Sequence, residues 1–171
     1  MAVAGPCIGM ADEALALDPI GTIHSPFESA VDMPIQPAGS DARGTVELEE
    51  RYAEGLADLE GFSHCILLYH FHESPADAPL SVEPFFDDRP RGLFATRAPR
   101  RPNNVGLSVV RIEAVDGSTT EVVGIDVVDG TPLLDVKPLV GRFDVPDSVD
   151  DGWIAASDDA VEQRRADDRF Q

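Results

Sequence analysis

Lysine is almost absent from this chain, in which Lys137 is the only one. The formal net charge is −19, with 32 acidic residues against 13 basic ones. A chain with this charge repels itself in dilute buffer, and high salt screens the repulsion within a few ångströms. We therefore predict a halophilic, cytoplasmic protein. The alternative is an acidic protein that binds a partner, but the acidic residues are spread along the chain rather than gathered in one tail.

Cysteine and long apolar runs are also scarce. The two cysteines, Cys7 and Cys65, have neither the spacing of a metal site nor the pattern of a disulfide framework. No apolar run has the length of a membrane span, so no membrane partner is expected. Residues 1–17 carry Asp12 and Glu13 and lack a basic segment, which predicts a flexible leader rather than a secretory signal.

Short apolar runs separated by glycine and proline predict a mainly β, all-β type of fold. The apolar positions Tyr52, Leu56 and Leu59 have helical spacing and predict one short helix over residues 50–59. Asp116-Gly117 predicts a hairpin turn. This order indicates a small barrel or a sandwich. The predicted strands are 20–24, 45–49, 62–71, 93–96, 107–115 and 120–128.

The segment over residues 91–108 has the most informative composition in the chain. It combines two prolines, which stiffen the backbone, with paired asparagines, which tolerate turns and offer donors and acceptors. A stiff cationic loop in an acidic protein is typical of a ligand-binding loop. A surface turn whose arginines pair with nearby acids explains the composition equally well. The arginines are Arg91, Arg97, Arg100 and Arg101.

Four blocks of sequence, taken in order, resemble the TrmO family, also called YaeB or TsaA-like. They are IGTIHSPF at 20–27, GFSH at 61–64, the segment 94–108 and DVVDGTPLLDVKPL at 126–139. Four ordered blocks are more specific than one short motif. The family consists of S-adenosylmethionine-dependent methyltransferases that modify N6 of threonylcarbamoyladenosine beside the tRNA anticodon. Two positions depart from the family pattern: Asn104 replaces a proline, which we expect to loosen the loop slightly, and Leu139 replaces a tyrosine.

The resemblance extends over about residues 18–145 and implies a barrel formed from a single sheet, with one or two short helices. It divides the chain into the leader over 1–17, a TrmO-like domain over 18–145 and an acidic extension over 146–171. It also implies S-adenosyl-L-methionine as the cofactor, tRNA as the partner and a homodimer. Together with the charge of the chain, it indicates a protein of a salt-adapted archaeon. Two alternatives stay open, namely a methyltransferase for a small molecule and a binding module without catalytic activity.

The resemblance implies a set of donor-binding residues. An arginine fork such as that of Arg97 can grip the carboxylate of the donor. The turn over 126–131 would face the adenosine half of the donor. A carboxylate there can accept hydrogen bonds from the ribose hydroxyls. The turn lacks the ligand spacing of a calcium loop, and Asp-Gly also forms a tight turn without any ligand. The full set is Gln36, Pro37, His72, Glu73, Arg97, Leu107, Asp126, Asp129, Gly130 and Thr131.

Three residues are the candidates for catalysis: Arg97, Arg101 and Asn103. The arginines can grip the donor or an RNA phosphate, or they can pair with a carboxylate of the segment over 126–135. Asn103 can bind the edge of an adenine, or it can cap the turn. No residue identifies itself as the base that removes the proton from the acceptor nitrogen.

Three histidines, His64, His70 and His72, have the even spacing that places side chains on one face of a strand. Histidines in this arrangement can bind zinc. We favour a polar strand end that lines a pocket, because no cysteine lies at a suitable spacing and the strand offers no evident further ligand. No metal is therefore predicted.

Overall fold

The computed structural model describes residues 15–30, 33, 41–75, 77–84 and 89–154. Strands dominate this part of the chain, with a single α-helix turn, α1, at Gly141–Asp144. Three 3₁₀ helices are described at Glu50–Leu56, Leu59–Gly61 and Leu93–Ala95. The strands are β1 Gly21–His24, β2 Arg43–Leu48, β3 His64–His70, β4 Ser81–Val82, β5 Arg91–Gly92, β6 Val105–Asp116, β7 Thr119–Val123 and β8 Thr131–Pro138.

Six of these strands close into an antiparallel barrel with the order β1-β2-β7-β6-β3-β8, in which β8 returns to pair with β1. Closure pairs the outer strands of the sheet with each other and so removes exposed edges. The remaining strands, β4 and β5, form a separate two-stranded sheet within the connection between β3 and β6. The prediction of a mainly β fold built as one single-sheeted barrel is confirmed.

The barrel interior is filled by the alternate side chains that point inward. On β3, Cys65, Leu67 and Tyr69 are buried, whereas the residues between them lie on the outer face and are partly exposed. Burying an aliphatic side chain such as Leu67 contributes about 2 kcal/mol to the stability of the fold. Burial raises the pKa of the Cys65 thiol to about 11, so this cysteine acts as a small core residue. The other large, fully buried side chains include Ile23, Val46, Val110, Val122 and Leu133.

Because the strands pair antiparallel, the connections between them lie alternately at the two ends of the barrel. The end that we call the loop end carries the connections 25–42, 71–104 and 124–130. The opposite end, which we call the hairpin end, carries the connection 49–63, the turn at Gly117-Ser118 and the chain after β8. The predicted hairpin is confirmed, with Asp116 opposite Thr119 and Gly117 at a φ of 59°. The two longest connections, 25–42 and 71–104, therefore both lie at the loop end.

Two local predictions are wrong. The strand expected over 93–96 is a 3₁₀ helix at Leu93–Ala95, because both the amide and the hydroxyl of Thr96 donate to the carbonyl oxygen of Leu93. The single helix expected over 50–59 is divided into two 3₁₀ helices. The division falls at Asp58, which has a φ of 67° and interrupts the helical backbone.

The segment after β7 also differs from the prediction. The strand expected over 120–128 ends at Val123, because Gly124 has a φ of 94° and turns the chain away from the sheet. Residues 125–127 then run through the buried interior near the loop end. No strand is predicted over 131–138, where β8 lies, because its prolines and charged residues obscure the alternation of apolar side chains.

The termini lie mostly outside the described residues. Of the predicted leader only residues 15–17 are described, and the acidic extension is described up to residue 154. The domain boundaries therefore stay predictions. None of the helices that the structure describes has the length and apolar character required to cross a membrane.

Candidate functional site

The loop end gathers three of the four blocks of sequence that predict function, whereas GFSH at 61–64 lies at the hairpin end. The segment over 25–27 follows β1, the arginine-rich segment over 91–104 precedes β6, and the turn over 126–130 precedes β8. These blocks are far apart in sequence and come together because β1, β3 and β7 all end at this side of the barrel. The loop end is therefore the candidate functional site.

The connection between β3 and β6 has an ordered structure of its own. Val82, Leu93 and Ala98 are buried together in a small apolar cluster, against which Ala78 packs. The short β4–β5 sheet pairs Val82 with Arg91. This satellite core supports the segment over 89–104, which we call the arginine loop, independently of the barrel interior.

Two arginines of this loop have internal partners. Arg101 turns back and donates from Nη1 to the carbonyl oxygens of Thr96 at 2.9 Å and Ala98 at 3.4 Å. Its guanidinium also lies 5.7 Å from the centre of the Phe94 ring. Arg100 forms an ion pair with Asp77 and donates to the carbonyl oxygen of the same residue. These contacts stabilise the loop.

The start of the arginine loop is tied to the C-terminal segment through Trp153. The indole N–H donates to the carbonyl oxygen of Ala95 at 2.8 Å. The guanidinium of Arg91 lies 5.4 Å from the centre of the Trp153 ring. The chain after β8 therefore returns from the hairpin end to the loop end, where it contacts the arginine loop.

A chain of buried polar side chains lies beneath the loops. Ser108 is fully buried on the inner face of β6 and donates to Asp126 Oδ1 at 2.6 Å. The Tyr69 hydroxyl lies 2.9 Å from Ser108 Oγ. Because a serine hydroxyl has one proton, Tyr69 donates to Ser108 when Ser108 donates to Asp126. Gly106 leaves room for the tyrosine, since a Cβ there would lie 2.2 Å from Tyr69 Cε2.

Asp126 has an unusual protonation equilibrium. It is 9% exposed, and burial raises its pKa to about 7, although the Ser108 hydrogen bond and the charge of Arg97 oppose the shift. Burial and the charge of Asp126 likewise raise the pKa of Tyr69. Arg97 acts electrostatically on both groups, so the structure brings two predicted site residues, Arg97 and Asp126, close together. Asp126 changes charge near neutral pH and is the strongly perturbed carboxyl of the described site.

The turn that contains Asp129 is fixed to the end of β1. Asp129 Oδ1 accepts from the Ser25 amide at 3.1 Å and lies 3.2 Å from His24 Nδ1. The Ser25 amide and the neighbouring His24 lower the pKa of this carboxyl, which is half-exposed. Gly130 has a φ of 77°, and its amide donates to the carbonyl oxygen of Ile23. The buried Thr131 donates to the carbonyl oxygen of Val128 at 2.6 Å, which completes the turn.

The other predicted site residues lie at different places on the loop end. His72, Glu73, Arg97 and Asn103 are all exposed and lie on the connection between β3 and β6. Leu107 lies on the outer face of β6 opposite Leu68, so its side chain points away from Ser108 and Asp126. Gln36 and Pro37 lie outside the described residues.

The histidines are divided between two structural settings. His64 and His70 lie at opposite ends of β3 on its partly exposed outer face, whereas His72 follows the strand in an exposed turn. In the part of the chain that the structure describes, no group of three or more histidine, cysteine, aspartate or glutamate side chains is arranged to hold a metal ion.

Sequence reasoning missed Tyr69, Ser108, Asn104 and Trp153 as site residues. A signal existed for Ser108, because a hydroxyl at an inward position of an apolar strand requires a polar partner. The partner could not be read from the sequence, since Asp126 lies in a different connection. Trp153 is the only tryptophan and lies 58 residues from its partner Ala95 in the chain.

Comparison with known proteins places these features in a family. The family model of the tRNA-methyltransferase O N-terminal domain matches residues 22–145. The chain belongs to the tRNA-methyltransferase O family. A crystal structure of TrmO from Pseudomonas aeruginosa superposes with a TM-score of 0.69 at 38% identity, covering 82% of this chain and 63% of that one. The predicted family is therefore confirmed.

Relatives of known sequence extend the comparison. A probable S-adenosyl-L-methionine-binding protein of Pyrococcus abyssi is 48% identical over 153 residues, covering 89% of this chain and 83% of the relative. A tRNA (adenine(37)-N6)-methyltransferase of Mus musculus is 34% identical over 159 residues, covering 86% of this chain. The chain spans 37% of the length of that mouse enzyme and 63% of the Pseudomonas protein. These names agree with the predicted cofactor.

Proposed function

We propose that this protein transfers a methyl group from S-adenosyl-L-methionine to N6 of threonylcarbamoyladenosine next to the tRNA anticodon. One observation carries the proposal: three of the four sequence blocks shared with the family meet at the loop end, where exposed Arg97 lies near buried Asp126. Family membership and the name of the mouse relative support the reaction type and the tRNA acceptor.

The main task of the protein in this reaction is to align the donor with the acceptor nitrogen. The sulfonium of the donor already carries a good leaving group, so transfer is an in-line displacement that forms an N–C bond and breaks a C–S bond. The N6 proton leaves to a base or to the carboxylate of the threonylcarbamoyl group. Holding the reactants in line is worth several kcal/mol. Arg97 would hold the donor carboxylate, and the turn over 126–131 would contact the adenosine half. The exposed amide of Asn103 would contact the acceptor base.

RNA would be held mainly by stacking and hydrogen bonds. The phosphate contribution to RNA affinity falls steeply as salt rises, and two arginines of the arginine loop already have the internal partners described above. Phe94, 73% exposed at the loop end, offers a ring on which a splayed base can stack.

The decisive experiment compares two substrates. Purified protein should methylate tRNA that contains threonylcarbamoyladenosine and ignore the same tRNA without the threonylcarbamoyl group, as measured by mass spectrometry of nucleosides. Nucleosides from a strain that lacks the gene should lose the methylated form. Turnover on a metabolite alone would favour a small-molecule methyltransferase, and donor binding without turnover would favour a binding module.

The donor site can be tested without the acceptor. Trp153 is the only tryptophan and contacts Ala95, two residues before Arg97. Donor bound by the arginine loop should therefore change tryptophan fluorescence, and calorimetry should give one donor per chain. The absence of both heat and fluorescence change at saturating donor would refute the cofactor assignment.

We further propose a homodimer, as the resemblance implies. The outer faces of β3 and β6 form an apolar stripe in which Leu68 pairs with Leu107 and Ile66 with Val109. Leu107 is 46% exposed, so a second copy of the chain would cover apolar surface. Light scattering in high salt should give the dimer mass, and a monomer mass would remove this proposal.

We also propose adaptation to high salt. The net charge of −19 predicts that the melting temperature rises as KCl is increased from dilute to molar concentration. Calorimetric melting curves across this range test the prediction. A melting temperature that stays constant or falls would contradict it.

A further inference from the structure

Asn104 joins two loops of the site, although it has no assigned role. It is 7% exposed, and its Oδ1 accepts from the Arg101 amide at 2.9 Å. Its Nδ2 donates to the carbonyl oxygens of Ser74 at 3.2 Å and Pro75 at 3.3 Å. The backbone adds a further link, because the Phe71 amide donates to the Asn104 carbonyl oxygen at 2.8 Å.

The backbone of Asn104 has a conformation that the family proline could not adopt. Its φ is 47°, a left-handed conformation that asparagine tolerates better than most residues. Proline is restricted to a φ near −65° and has no N–H, whereas the Asn104 amide donates to the Arg101 carbonyl oxygen at 3.2 Å. The expectation that losing the proline loosens the loop stays a prediction. Side-chain hydrogen bonds of Asn104 hold the loop in this protein.

The residues on either side of this junction are the ones that the resemblance assigns to the donor and acceptor. His72 and Glu73 lie between the two points where Asn104 holds the segment 71–75, and Asn103 precedes Asn104 directly. We propose that Asn104 is a positioning residue that keeps the segment 71–75 and the arginine loop in register for substrate binding. This proposal rests on the proposed function.

Replacement variants separate positioning from general stability. Asn104→Gly keeps the left-handed backbone available and removes the side-chain hydrogen bonds, so the KM for the donor should rise about tenfold, since small misplacements are costly. Asn104→Asp retains the acceptor for the Arg101 amide and loses the donor, so its effect should be intermediate. Asn104→Pro should be the most damaging, despite the proline in relatives.

The matched control is Gly117→Ala at the hairpin end. Gly117 has a φ of 59° and open space around it, so alanine there strains the backbone without touching the loop end. This variant should melt at a lower temperature, as Asn104→Gly should, and should keep the wild-type KM and donor affinity. If Asn104→Gly also kept both values, Asn104 would be a purely structural residue and the proposal would be overturned.

Hydrogen exchange supplies a readout that needs no substrate. In Asn104→Gly the amides of Phe71 and Arg101 should exchange faster than in Gly117→Ala, at matched distance from the melting temperature. Equal exchange in the two variants would overturn the proposed junction. If wild-type protein bound no donor while the exchange difference persisted, the proposed function would fail and the junction between the loops would remain.

Discussion

The two ends of the barrel use buried hydroxyl groups in opposite ways. At the loop end, Ser108 is held between Tyr69 and Asp126 by short hydrogen bonds. On β7, towards the hairpin end, the Thr120 hydroxyl is buried with no hydrogen-bond partner in the described structure. A satisfied polar network fixes the position of a carboxyl group, whereas an unpaired hydroxyl only costs stability. At the loop end, buried polar groups therefore fix the positions of side chains. At the hairpin end, residues such as Leu48 and Leu56 contribute apolar packing.

The largest expected effect concerns the pH dependence of stability. Asp126 has a raised pKa of about 7, so between about pH 4 and 7 the unfolded chain releases a proton that the folded chain keeps. The contribution of Asp126 to the free energy of unfolding is therefore complete below pH 4 and is lost as the pH rises through 7. The loss is on the order of 4 kcal/mol. Asp126→Asn should remove this loss, which melting curves of both proteins at several pH values would measure.

Wild type and Asp126→Asn share every other titrating group, so the difference between their pH profiles isolates Asp126. Parallel profiles would show that Asp126 is not a buried, titrating carboxyl and would weaken the contrast between the two ends.

The next effect concerns activity. Arg97→Ala should remove one charge-assisted hydrogen bond to the donor, worth about 1.5–3 kcal/mol, and lower kcat/KM roughly ten- to a hundredfold. Arg111→Ala, on the outer face of the barrel beside Glu113, is the control and should keep full activity. Steady-state kinetics with modified tRNA measure both. Full activity of Arg97→Ala would mean that the guanidinium does not contact the donor.

Arg101→Ala should also lower activity, for a structural reason. Its guanidinium holds the carbonyl oxygens of Thr96 and Ala98 rather than pointing into solvent, so its removal loosens the loop that carries Arg97. Added guanidinium ion should not restore the activity of this variant, because a free ion is not attached to the loop and would not hold its backbone in place.

A smaller effect distinguishes the two buried hydroxyls directly. Ser108→Ala should destabilise the protein by about 1–3 kcal/mol, because it leaves both Tyr69 and Asp126 without their partner. Thr120→Val should stabilise it by about 1 kcal/mol, because it removes an unpaired polar group and keeps the shape. Chemical denaturation measures both changes. Equal effects of the same sign would contradict the comparison between the two ends.

The smallest effect concerns Trp153. Trp153→Phe keeps a ring against Arg91 and loses the hydrogen bond to Ala95, which should cost about 1 kcal/mol and a few degrees of melting temperature. Trp153→Ala loses both contacts and should cost more. Identical melting of the two variants would show that the ring contact contributes nothing.

The sequence by itself determined the features that depend on neighbouring residues or on ordered motifs. The Asp116-Gly117 turn is local, and glycine at a positive φ is favoured by its missing side chain. Inward alternation on β3 follows from the two-residue period of a strand. The four blocks of sequence identified the family, since their order along the chain requires no knowledge of contacts.

Only the tertiary structure decided which of these residues meet. Ser108 reaches Asp126, Asn104 reaches Ser74 and Ala95 reaches Trp153 across separations of 18, 30 and 58 residues. Tertiary packing also buries Leu93, from the 3₁₀ helix at 93–95, in the satellite core with Val82 and Ala98. Such contacts depend on strand register and barrel closure, which no local pattern specifies, because a shift of one residue would turn Ser108 from the interior to the surface.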